Sequence, residues 1–233
     1  MKMMNKFIVN GNEVNAYYSS NDINDVLIPL LKRWIHIYET KKKRVIVYLA
    51  ACPGSGKSTL ALFLEELFKS LNASCTFQTI GIDGFHFYND YLKKHDLLNE
   101  KGSRNTFDVE KLKSYILKTK EEDCFWPIYS RMVHNPIENQ VYIQSDIVLI
   151  EGNYLLSKDA PWNELLPLCD DSVFLNVDPS IPSILKERLI KRKSLSIGLD
   201  KAIHFYEQSD SKNIQYVLNS KQCPNIEIEL STR

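Results

Sequence analysis

The chain has 233 residues with 29 Lys+Arg against 29 Asp+Glu, a length that suits one α/β domain with a full core and a small lid. Zero net charge excludes an overall basic field that would recruit nucleic acid, and the basic run 41–44 reads as the solvated end of a helix. Cys52, Cys75, Cys124, Cys169 and Cys223 lack metal-ligand spacing and read as reduced thiols of a cytoplasmic protein; no signal peptide or apolar run of about 18 residues points to secretion or membrane insertion.

Residues 6–18 hold two short alternating runs around Asn10-Gly11, a hairpin signal. Residues 21–40 follow a helical period, with Ile23, Val26, Leu27, Leu30, Leu31, Trp34 and Ile37 on one side. Residues 1–43 are therefore expected to form a hairpin and helix appendage, to which the sequence attaches no chemistry. The core domain is expected over 44–233.

Residues 44–50 are apolar and β-branched enough for a buried parallel strand, and 60–68 read as a helix. Between them lies Ala51-Cys52-Pro53-Gly54-Ser55-Gly56-Lys57-Ser58-Thr59, a phosphate-binding loop. Gly54 and Gly56 let successive N–H groups turn toward phosphate oxygens, and the helix starting near Ser58 adds its N-terminal dipole. Lys57 is positioned for the β/γ-phosphates and the Ser58 hydroxyl for Mg²⁺. The nucleotide-binding set is thus Pro53, Gly54, Ser55, Gly56, Lys57, Ser58 and Thr59. Ala51 departs from the glycine usual at the first position, and Cys52 is either a space-filling side chain or a thiol open to alkylation.

Further strands are expected at 75–80, 146–151, 172–177 and 225–230, with a cationic helix over 181–193 and one or two helices over 199–219. This alternation predicts a mostly parallel sheet with helices on both faces and ligand groups at the C-terminal strand ends. Asp83 follows the second core strand, where a carboxylate can accept the proton of an attacking hydroxyl; a turn-forming Asp before Gly84 is the plainer alternative. Glu151 ends the next strand and resembles a Walker B carboxylate that holds Mg²⁺ together with Ser58. Arg188 and Arg192 lie four apart on one helical face, able to clamp phosphate oxygens from a mobile lid over about 186–213. Residues 125–136 mix aromatics with hydrogen-bonding groups, the composition of a pocket for a polar small molecule. Trp126 suits the core equally, and His86 and His134 are either substrate contacts or structural.

Several co-linear stretches carry a family resemblance. They are Leu49 to Leu60 across the phosphate loop, Ile82-Asp83-Gly84-Phe85-His86-Phe87, the run 101–109, Pro127-Ile128-Tyr129-Ser130-Arg131, the run 150–156, Pro161-Trp162, the run 187–192, Gly198, and Asp210 to Asn213. The chain resembles the uridine kinase, phosphoribulokinase and type I pantothenate kinase superfamily of P-loop kinases, nearest to its bacterial nucleoside/nucleotide and fructose-transport kinase branch. The resemblance covers about residues 45–220. It implies a three-layer P-loop NTPase fold and an ATP- and Mg²⁺-dependent phosphotransferase acting on a small-molecule hydroxyl acceptor. It also leaves a homodimer open.

On that resemblance Asp83 matches the family's base, Glu151 the acidic residue at the metal, and Arg188 with Arg192 the lid, while Lys57 shares the catalytic work. Tyr129 and His134 keep the spacing of substrate-contacting residues in uridine kinases, and Arg131 and His86 join the expected substrate set. Ser130-Arg131 stands where uridine kinases have Asp-Phe, which speaks against uridine, and the lid helix lacks a Trp common in the fructose-transport branch. A P-loop ATPase or nucleotide-sensing regulator without an acceptor is the competing reading; no N-K-x-D motif of a GTPase is present.

Overall fold

Alternate side chains of one strand leave opposite faces of a sheet, and the strand entering the phosphate loop buries both sets. Ile46, Tyr48 and Ala50 join one apolar cluster, while Val45, Val47, Leu49 and Ala51 join another. Covering both faces requires helices above and below, so the sequence pattern itself demands three layers. The computed structural model describes residues 2–9, 11–177 and 182–231 and has that form. Met1 and Asn10 of the expected appendage, residues 178–181 and 232–233 of the expected core domain, and with them the first residue of the cationic helix expected over 181–193, lie outside the described residues.

In chain order, β1 (Lys2–Val9) and β2 (Asn12–Ser19) pair as an antiparallel hairpin. A π-helical turn (Asp22–Leu27) leads into α1 (Ile28–Lys41), so the expected helix over 21–40 is regular only in its second part. Then come β3 (Val45–Ala51), α2 (Lys57–Lys69), β4 (Phe77–Gly81), α3 (Asn89–Lys94) and α4 (Val109–Glu121). A second ribbon, β5 (Cys124–Ser130) with β6 (Asn135–Ile143), precedes β7 (Ile147–Gly152) and β8 (Asp171–Asn176). The chain ends with α5 (Pro182–Ile197), α6 (Leu199–Phe205), α7 (Ser211–Ser220) and β9 (Ile226–Glu229).

The central sheet has the order β4-β7-β3-β8-β9, and every neighbouring pair in it is parallel. Each expected core strand is present, shifted by one or two residues at its ends. The β5–β6 ribbon was not anticipated. Its alternation is broken at Pro127, where the register shifts between Trp126 and Ile128, and Phe125 and Tyr142 keep their rings outside.

On one face α1 and α2 pack with the hairpin, whose Ala16 and Tyr18 share a buried cluster with Trp34 and Phe63. Asp171 is fully buried at the head of β8, and its carboxylate accepts hydrogen bonds from Arg33 Nε (2.9 Å) and Trp34 Nε1 (3.0 Å). A buried charge so paired also fastens α1 to the sheet. The opposite face carries α4, the β5–β6 ribbon and α7 around Phe85, Trp126, Tyr154 and Trp162.

Candidate active site

Glycine conformation shapes the phosphate loop. Gly54 and Gly56 have φ of 79° and 88°, in the left-handed region that other residues rarely adopt. A Cβ on Gly54 would stand 2.9 Å from Leu189 Cγ, so α5 lies directly against the loop. Pro53 is buried behind it, and Cys52 is buried too, which pushes its thiol up to about 11 although Lys57 pulls the other way. A thiol so protonated is a poor nucleophile, and Cys52 serves as packing.

Lys57 and Ser58 open α2 and meet Glu151 at the end of β7. Ser58 Oγ donates to Glu151 Oε1 (2.7 Å), and Lys57 Nζ stands 3.3 Å from Oε2. The β3–β7 register sets this meeting, pairing Leu49, two residues before the loop begins at Ala51, with Glu151. A hydroxyl and a carboxylate side by side are the hard oxygen donors that suit Mg²⁺. Among the described residues no cluster of three His, Cys, Asp or Glu forms a metal cage. Mg²⁺ does not need one, because it is commonly held by one or two protein oxygens plus phosphate and water.

Two cavities flank this trio. The larger, about 540 Å³, runs along Gly54 to Leu60 and under α5, with Arg188 and Arg192 in its wall. Arg192 reaches the cavity's solvent, yet desolvation lowers its guanidinium pKa, with Arg131 adding to the effect and Asp210 and Asp83 opposing it. The smaller, about 420 Å³, is lined by Gly81, Asp83, Gly84, Tyr129, Arg131 and Glu151, among others. Apart from Pro53, His86 and His134, which line neither cavity, the sequence-expected residues fall into two groups that touch at Glu151.

Asp83 is exposed to the smaller cavity from a 3₁₀ turn (Ile82–Phe85) directly after β4. Its backbone is held closely: a Cβ on Gly84 would lie 2.2 Å from the Pro127 carbonyl oxygen, which only glycine avoids. Trp126 Nε1 donates to the Gly81 carbonyl (2.9 Å) from below, so Trp126 is a core residue that braces the site.

His86 and His134 do not line the smaller cavity. His134 is exposed at the β5–β6 turn with φ of 51°, and its carbonyl accepts from Lys101 Nζ (2.6 Å). His86 packs edge-on to Phe107, ring centroids 3.8 Å apart, and its buried Nδ1 has no hydrogen-bond partner. Burial drives the His86 pKa down to about 4, with Asp83 opposing. The native state thus refuses a proton that the unfolded chain accepts near pH 6.5, so stability present above that pH is lost as pH falls toward 4. His86→Gln is expected to remove about 2 kcal/mol of the stability lost between pH 7 and 5. Denaturant midpoints of both proteins at the two pH values measure it, and equal losses would refute the assignment.

Two features near the site were not read from the sequence. Lys101 stacks its ammonium over the Tyr129 ring (4.9 Å to the centroid), and its pKa is lowered by burial. The hairpin contributes residues to both cavities, Gly11 to the smaller and Glu13 to Tyr18 to the larger. Alternation marks a hairpin, but nothing local to residues 2–19 tells where it docks.

A wholly parallel sheet whose first core strand runs into a glycine loop and helix, with an acidic strand end beside it, defines the P-loop kinase fold. The chain belongs to the P-loop kinase family that includes uridine kinase-like proteins and pantothenate kinases. It is 38% identical over 226 residues to the uncharacterized protein YggC of Escherichia coli, covering 96% of this chain and 94% of that one. It is 27% identical over 234 residues to pantothenate kinase of Lactococcus lactis, covering 88% and 74%. The crystal structure of a candidate fructose transport system kinase from Silicibacter superposes with a TM-score of 0.78 at 26% identity, covering 87% and 98%. No family model matches the chain.

Proposed function

We propose that the protein is an ATP- and Mg²⁺-dependent kinase that transfers the γ-phosphoryl group to a hydroxyl of a small molecule. The observation that carries this reading is the pair of cavities meeting at Lys57, Ser58 and Glu151, one along the phosphate loop and one holding Asp83. ATP occupies the larger cavity with its phosphates on residues 53–59. The acceptor occupies the smaller, between Asp83 and Tyr129. Its hydroxyl gives its proton to the Asp83 carboxylate, its oxygen forms the bond to the γ-phosphorus, and the bond to the β,γ-bridging oxygen breaks to release ADP. Lys57, Arg188 and Arg192 balance the charge that shifts across the phosphates. Ser58 and Glu151 would hold Mg²⁺, which supplies further charge neutralisation when bound.

The domain division belongs to the same proposal: a kinase domain over 44–233 with its lid at 186–213, and the N-terminal unit over 1–43. Arg131 is exposed at the acceptor cavity, and its guanidinium favours an acceptor bearing a carboxylate or phosphate. His86 contributes to that cavity only through the turn it supports, and His134 only through the backbone contact to Lys101. Free thiols throughout and the absence, among the described residues, of a helix long and apolar enough to cross a membrane support a cytoplasmic setting.

The test is ADP release with and without a panel of sugars, nucleosides and pantothenate. Release that depends on one acceptor supports the kinase, and Arg131→Ala is then expected to raise that acceptor's KM about tenfold or more with the KM for ATP unchanged. ATP hydrolysis indifferent to every acceptor would favour a P-loop ATPase instead.

A further inference from the structure

The larger cavity has one wall that the phosphate chemistry does not use. Residues 13 through 18 of β2 all line it, without a gap. A strand that shows a face to a cavity contributes alternate residues. Consecutive residues line it when the strand turns its edge inward.

The register identifies which backbone groups that edge carries. Val9 pairs with Asn12, closing a two-residue loop, and the pairing continues without a bulge to Lys2 and Ser19. In such a hairpin the closing pair exchanges both hydrogen bonds, and bonded and non-bonded pairs then alternate. Asn12, Val14, Ala16 and Tyr18 therefore bond to β1, while Glu13, Asn15 and Tyr17 aim their N–H and C=O outward. Among the described residues β2 pairs with β1 alone. An edge of this kind is a template for any planar group with matching donors and acceptors.

We propose that the outer edge of β2, from Glu13 to Tyr17, reads the adenine ring of ATP; the inference rests on the kinase reading above. The Glu13 carbonyl and the Asn15 amide stand side by side, as do the Asn15 carbonyl and the Tyr17 amide. The first pair is the one assigned to the base, with the Glu13 carbonyl accepting from the adenine 6-amino group and the Asn15 amide donating to ring N1. Leu175 and Leu230, at the ends of β8 and β9, supply an apolar surface for the ring. A cavity of about 540 Å³ has room for a nucleotide.

The edge is also fixed relative to the phosphates. Tyr18 and Phe7 both pack on Phe63, with ring centroids 4.2 and 6.5 Å apart, and Phe63 lies on the helix that Lys57 and Ser58 begin. At the strand's end, the Ser19 amide (3.0 Å) and the Ser231 amide (2.9 Å) both donate to the Asp22 carboxylate, tying the hairpin to the chain beyond β9. Those bonds hold Asp22 down to about pKa 2 against the opposing effect of its burial, so the tie survives ordinary acidity.

Because the Asn15 amide points away from β1, Asn15→Pro removes it without breaking the ladder, a substitution that edge strands tolerate. Calorimetric titration with ATP and with inorganic tripolyphosphate, which lacks the base, reads the effect. Asn15→Pro is expected to weaken ATP about tenfold and leave tripolyphosphate unchanged, whereas Asn15→Ala, which keeps the amide, should bind ATP as the unaltered chain does. N6,N6-dimethyl-ATP should bind the unaltered protein at least about tenfold more weakly than ATP, which decides the matter should the proline variant misfold. Unchanged ATP binding by a folded Asn15→Pro, equal loss in Asn15→Ala, or equal binding of the dimethyl analogue would overturn the base site alone. Failure of the unaltered protein to bind either ATP or tripolyphosphate would overturn the kinase reading beneath it.

Discussion

Asp83→Ala is expected to lower kcat by about 10²–10⁴, the range for loss of a positioned proton acceptor, with the Kd for ATP essentially unchanged. The two effects separate because Asp83 stands in the smaller cavity, on the far side of Glu151 from the larger one. Its side chain is exposed while its backbone is held by the neighbours of Gly81 and Gly84. Removing the carboxylate therefore takes away chemistry and leaves the packing. Asp83→Asn is the sharper version, since it keeps the size and hydrogen-bonding reach and loses the basicity; it should be as impaired as Asp83→Ala. Single-turnover rates with the active acceptor measure both. An Asp83→Asn protein within about threefold of the original rate, less than 1 kcal/mol of barrier, would mean the carboxylate only orients the acceptor.

The parts of this site visible in the sequence are those whose signal is local. Residues 51–59 announce a phosphate loop because glycine, lysine and hydroxyl must follow one another for the backbone to wrap an anion. The strands 147–152 and 171–176 stand out because parallel strands are buried on both faces and become continuous apolar runs. Glu151 by itself is a common strand-end acid, and only the β3–β7 register places it 2.7 Å from Ser58. What depended on tertiary packing was not legible. His86 and His134 look alike in sequence, yet one packs against Phe107 and the other faces solvent. The hairpin was recognisable from Asn10-Gly11, but its docking on Phe63 is a contact between residues 45 or more apart. The β5–β6 ribbon was hidden by Pro127, which interrupts the alternation at the bulge that brings the strand close to Gly84.

Lys57→Ala is expected to lower kcat/KM by about a thousandfold, the loss typical of one preorganised electrostatic contact to a developing charge, and to weaken ATP binding as well. Lys57 and Ser58 occupy the two oxygens of Glu151, at 3.3 and 2.7 Å. A triphosphate entering beside them competes with that carboxylate for the same ammonium. Without Lys57 the incoming anion meets Glu151 with one fewer positive charge to offset it, so binding and turnover fall together. The sign of the Glu151 effect then depends on metal. In the absence of Mg²⁺, Glu151→Gln removes a repelling charge and should tighten ATP; with Mg²⁺ present it removes a ligand and should slow turnover. Titrations of Lys57→Ala, Glu151→Gln and the double variant, each with and without Mg²⁺, give the coupling directly. If Glu151→Gln weakened ATP equally with and without the metal, Glu151 would be serving to position Lys57, and the carboxylate would have no part in holding Mg²⁺.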